Sequence, residues 1–98
     1  MKTGTWWYAM QTPEGEPQGF ARLDVAAEEG GATRYDWRLR IAFPGGTYEE
    51  DRSLVLDPER RMLAASYEGP GARVEARREG GRLVGTVTPV DGEPQPLD

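Results

Sequence analysis

Ninety-eight residues suffice for one domain with one modest core, and a 37% hydrophobic content keeps that core thin. Seventeen acids against twelve bases give a net charge of −5, which repels nucleic-acid backbones and anionic membranes at long range. The absence of Cys and His removes disulfides, thiolate and imidazole catalysis, and almost all zinc, copper and haem chemistry, so no metal or other cofactor is expected.

No apolar run reaches the roughly 18 residues of a membrane span, and MKTGTWWYAMQ lacks the apolar stretch of a signal peptide. The chain therefore reads as soluble and cytoplasmic. Along it, PEGEP at 13–17, EEGG at 28–31, PGG at 44–46, DPER at 57–60, GPG at 69–71 and EGG at 79–81 supply turn chemistry at regular intervals. Six turns imply seven strands, and short sequential connections make an antiparallel meander the simplest topology.

The first strand, from Thr5 to Gln11, puts Trp6, Trp7 and Tyr8 in a row, so both of its faces carry an aromatic ring. In the second, Gly19, Ala21, Leu23 and Val25 alternate with Phe20, Arg22 and Asp24, which turns a small-residue face inward and leaves Phe20 on the wet side. The third, Thr33 to Phe43, is the cleanest. Tyr35, Trp37, Leu39, Ile41 and Phe43 share one parity and Arg34, Asp36, Arg38 and Arg40 the other, the pattern of a strand with one buried and one solvated face.

The fourth, Thr47 to Asp57, opens on Glu49, Glu50 and Asp51 and closes on Leu54, Val55 and Leu56, so its first half is expected exposed and its second half buried. Asp57-Pro58-Glu59 satisfies two rules at once: an N-cap with Pro at the first helical position, starting a short helix from Pro58 to Ser66, or a type I turn. Alternation of Leu63, Ala65 and Tyr67 with Met62, Ala64 and Ser66 favours the strand. Ala72, Val74 and Ala76, then Leu83, Gly85 and Val87, mark the sixth and seventh strands, and Gly19 and Gly85 are candidate bend positions. Residues 1–89 thus form a single all-β domain, and 90–98 read as a Pro-rich acidic tail.

Three constellations carry chemistry on paper. Glu49-Glu50-Asp51 offers oxygen ligands, but alternation sends Glu50 to the opposite face from its neighbours, and the Asp/Gly spacing of a calcium loop is missing. Arg34, Arg38 and Arg40, with Arg22, Arg52, Arg73 and Arg77 on neighbouring strands, form a basic patch if they share a face; the alternative is cross-strand pairing with Asp24, Glu49, Asp51 and Glu75. The large rings belong to the core by default. On an open, curved sheet, however, Trp6, Tyr35, Trp37 and Tyr48 would line a surface for an apolar small ligand.

The run WWYAMQTPEGEPQGFARLDV, followed by YDWRLRIAF and VLDPERRMLAASYEG, resembles uncharacterised bacterial β-meander families whose curved sheet is similar to that of periplasmic lipoprotein carriers. The resemblance implies a half-barrel and a lipid or other apolar ligand. It implies no site residue, and the exported carriers have plugging helices that this chain does not show. The expected fold is all-β, about seven antiparallel strands in a meander forming a half-barrel or open barrel. The expected function is a non-catalytic binding or interaction module acting as a homodimer, without nucleic acid; the alternative is a carrier of an apolar small molecule.

Overall fold

The computed structural model describes residues 2–97. Among them, eight strands follow one another in chain order in a single antiparallel sheet, with a 3-10 turn at Glu29–Gly31 as the one helical element of the described residues. They are β1 (Gly4–Gln11), β2 (Pro17–Ala27), β3 (Thr33–Phe43), β4 (Gly46–Leu56), β5 (Met62–Glu68), β6 (Ala72–Glu79), β7 (Arg82–Pro89) and β8 (Gln95–Pro96). The sheet is open: β1 and β8 are its two edges and do not pair. Each of the six sequence-read turns joins two strands.

A short eighth strand adds to the about seven expected. Val90, Asp91 and Gly92 turn the chain back, with the Gly92 amide donating to the Pro89 carbonyl at 3.2 Å, and Gln95 and Pro96 pair with Val87 and Thr86. Pro-rich composition had concealed a strand that needs only two residues and one further amide bond, from Leu97 to the Gly85 carbonyl. Residues 58–66 resolve as turn and strand. Pro58 follows Asp57, Arg60 takes the left-handed conformation at φ 66°, and the Asp57 carboxylate accepts the Arg61 amide at 2.8 Å, so the chain reverses before a helical turn can propagate. Arg61 and Arg78 also donate to that carboxylate, each at 2.9 Å, which ties the turn to β6.

Register builds two faces. Trp6, Leu23, Trp37, Arg52, Tyr67, Val74 and Val87 form one row across seven strands, and the adjacent row holds Val25, Tyr35, Leu54, Ala65, Ala76 and Gly85. The opposite face carries Arg22, Asp24, Arg34, Asp36, Arg38, Asp51 and Glu75. At Gly19 and Gly85 the neighbouring strand comes so near that a Cβ would stand 2.0 Å from the Arg40 carbonyl oxygen and 1.9 Å from that of Glu75. Only glycine admits that approach, and at Gly19 it adjoins the bulge between Met10 and Gln11 in β1. Both sequence-read bend positions are therefore points of close interstrand contact.

A second layer is absent among the described residues. The principal extents are 49 × 39 × 16 Å, and the radius of gyration is 16.0 Å where a compact chain of this length has about 13 Å. Among the described residues only Ala21, Val25, Ala32 and Glu50 are buried; Trp37, Leu39, Ile41 and Leu54 are half-buried. Thin core content has a structural outcome: the apolar face has nothing packed on it. Leu54 and Leu56 on that face, like Val55 on the opposite one, are half-exposed, against the expectation of a buried second half for β4.

Candidate functional site

The apolar face is held by β1 to β5 and carries the four rings singled out from sequence. Trp6 and Trp37 lie in one row, both against Leu23; Tyr35 is in the row beside it, and Tyr48 pairs with Ile41 two rows away on the other side. Tyr8 meets Trp37 with ring centroids 5.9 Å apart, a tilted contact of the kind aromatic quadrupoles favour. The four are thus on one face but do not converge. Trp37 borders a hollow of about 520 Å³, which is lined mainly by charged residues such as Arg34, Asp36, Arg38, Asp51 and Glu75, whereas Tyr35 borders a separate one of about 340 Å³ beside Pro58.

Within the apolar face lies a polar chain that sequence reasoning did not assemble. Tyr48, Glu50 and Arg52 follow at every second position of β4 and so share the face of Leu54. The Tyr48 hydroxyl donates to Glu50 Oε1 at 2.7 Å and Arg52 Nε donates to Glu50 Oε2 at 2.5 Å. Across the ladder, Tyr67 pairs with Arg52, whose guanidinium carbon stands 5.2 Å from the Tyr67 ring centroid. Glu50 is the buried charge of the described residues, at 6% exposure, while the Arg52 side chain is 60% exposed.

Electrostatics fix the state of this chain. Burial pushes the Glu50 carboxyl up, but the hydrogen bonds from Tyr48 and Arg52 and the nearby Arg52 charge outweigh it, so the group lies below its usual value and stays ionised. Hydrogen bonding with Tyr67, then with Glu50, raises the Tyr48 phenol well above its ordinary value. The arrangement is a fixed ion and its donors. Ionised, Glu50 has no proton to donate as a general acid near neutrality.

Arg52 overturns one expected placement. Its parity puts it with Glu50 and Leu54, apart from Arg34, Arg38 and Arg40, so no patch uniting all seven arginines forms. On the charged face the expected cross-strand pairing is found for Arg40 with Asp51 at 3.0 Å, and at 3.7 Å for Arg38 with Asp51 and Arg40 with Glu49. Elsewhere the partners lie two residues along the same strand: Arg22 with Asp24, Arg34 with Asp36, Arg73 with Glu75 and Arg77 with Glu79. Register explains part of this, because Arg22 stands opposite Arg38 and Asp24 opposite Asp36. Like charges face each other there, and the nearest opposite charge is on the same strand.

The acidic run also divides. Glu49 and Asp51 are solvated on the charged face, as the sequence suggests, and Glu50 is not. Among the described residues no three or more acids gather to hold a metal ion. No described helix is long and apolar enough to cross a membrane. Alternation alone marked Glu50, Arg52 and Tyr48 as facial neighbours; reading the acids as one solvated run hid it. No family model, curated protein or solved structure matches the chain.

Proposed function

We propose that this protein is a non-catalytic interaction module that works as a homodimer. One observation carries the reading: the chain exposes 7082 Å², about 1,500 Å² more than the roughly 5,600 Å² expected of a compact monomer of its mass. A standard interface removes about 800 Å² from each partner, so the excess is of interface size. Of the five exposed large apolar side chains among the described residues, Tyr8, Phe43 and Leu83 stand on the face of Trp37, while Trp7 stands on the opposite face of the edge strand β1. A second copy is the partner that every expressing cell supplies, and closed two-fold pairs are the commonest assemblies.

The dispersal of Trp6, Tyr35 and Tyr48 over separate rows supports an interaction surface over a carrier, because a small-molecule site encloses most of its ligand. Light scattering across a concentration series tests the proposal. A mass near twice 10.9 kDa at tens of micromolar is expected, and a mass of 10.9 kDa throughout contradicts it.

A further inference from the structure

The two edges of the sheet are unlike, and the difference decides how two copies can join. At one edge β8 is two residues long, contains Pro96, follows Pro94, and has Asp91 and Glu93 in the loop before it. Short length, missing amide donors and charge are the devices that keep an edge from pairing. At the other edge β1 runs eight residues, GTWWYAMQ, with no charge and no proline. Trp7 and Tyr8 on it are 60% and 47% exposed. Long, uncharged and aromatic, β1 has none of those protections.

We propose that the homodimer forms by antiparallel pairing of β1 with β1 of a second copy, which joins two eight-stranded sheets into one. This rests on the homodimer reading and specifies the edge by which the copies join; the two apolar faces then lie side by side on one surface of the joined sheet and are not covered by the pairing. A guarded β8 leaves head-to-tail pairing of β1 on β8 without a competent acceptor, so the contact is isologous and closes at two copies; heterologous pairing would propagate into a filament. Packing the apolar faces together is the competing geometry. Arg52 opposes it, since a 60% exposed guanidinium would be desolvated there, and a two-fold axis near it would bring two such charges together.

Register follows from parity and from the bulge. A two-fold axis through the sheet keeps the apolar faces on one side only when residues of equal parity meet. Placing Trp7 on the axis pairs Gly4 through Met10, with Trp6 opposite Tyr8 of the second copy and Thr5 opposite Ala9. Placing Tyr8 there draws Gln11 into the ladder, past the bulge between Met10 and Gln11 that breaks the regular pairing. An axis at Trp6 would confine pairing within β1 to Gly4–Tyr8, so Trp7 gives the longest regular ladder and is the axial residue.

Because the chain has no native cysteine, introduced thiols report the register without background. In Thr5→Cys/Ala9→Cys each thiol of one copy meets its counterpart in the other, and the roughly 4.5 to 5.5 Å Cα separation of facing antiparallel residues lies within the span a disulfide bridges. Within one copy the two lie about 13 Å apart and cannot bond. Oxidation is expected to convert the double variant to a covalent dimer and to leave Ala9→Cys alone uncrosslinked. Trp7→Lys, which sets two like charges face to face on the axis, should raise the dimer dissociation constant at least tenfold with the strand circular dichroism unchanged. A dimeric mass that persists without crosslinking and ignores Trp7→Lys overturns the β1 pairing while the homodimer reading stands. A monomeric mass for the unaltered chain overturns both.

Discussion

Glu50 and Arg52 divide one ion pair unequally between protein and water, and the division predicts which partner matters more. In Glu50→Ala the exposed Arg52 guanidinium recovers hydration, so the loss is confined to hydrogen bonds and packing, about 1 to 2 kcal/mol. Arg52→Ala leaves a buried carboxylate with Tyr48 as its remaining donor, and costs more, about 2 to 3 kcal/mol. Urea denaturation of the two variants gives the order; a larger loss for Glu50→Ala contradicts this account. At Asp57 the prediction is in pH. The amide of Arg61 holds its carboxyl down, against desolvation and aided by Arg78 and the Arg61 side chain, at about 2. A depressed folded value means that the stabilisation is complete above the ordinary 3.8 and is lost as pH falls from there through about 2. Asp57→Asn should accordingly flatten the fall in melting temperature between pH 4 and 2, and an unchanged slope argues against it.

At the scale of elements, β3 sets the faces for the whole sheet. Trp37 packs against Tyr8 and stands between Leu23 and Arg52 in its row, so Trp37→Asp removes apolar contact from three strands and inserts a charge; a loss of about 3 kcal/mol or more, enough to unfold a one-layer sheet, is expected. Arg38 is 55% exposed, opposite Arg22, with its nearest acid 3.7 Å away, so Arg38→Glu should cost under about 1 kcal/mol. Thermal melts in which Arg38→Glu is the more damaging would invert the faces. The same strand shows what sequence can convey. Parity in β3 and turn residues between strands were sufficient for the meander, the two faces and the β5 strand, because each is a local property of period 2 or of backbone angle. Parity also placed Glu50 beside Tyr48, yet its burial depends on the side chains of Arg52 and Tyr67 and on Leu39 across the ladder, and no local pattern encodes that. The eighth strand escaped for a related reason: Gln95 and Pro96 have no strand propensity of their own and pair because a turn at Val90 delivers them to Thr86 and Val87.

The molecule as a whole is one sheet 16 Å thick, and its proposed function follows from that thinness. A second layer would bury the rings of the apolar face and remove the excess surface on which the interaction reading depends. Small-angle X-ray scattering tests this most directly, carried out on Trp7→Lys or on the unaltered chain at concentrations low enough to give the monomer mass. The account predicts a monomer radius of gyration near 16 Å. A radius near 13 Å, that of a compact chain of the same length, would contradict it, because the sheet would then have closed on itself and covered its own face.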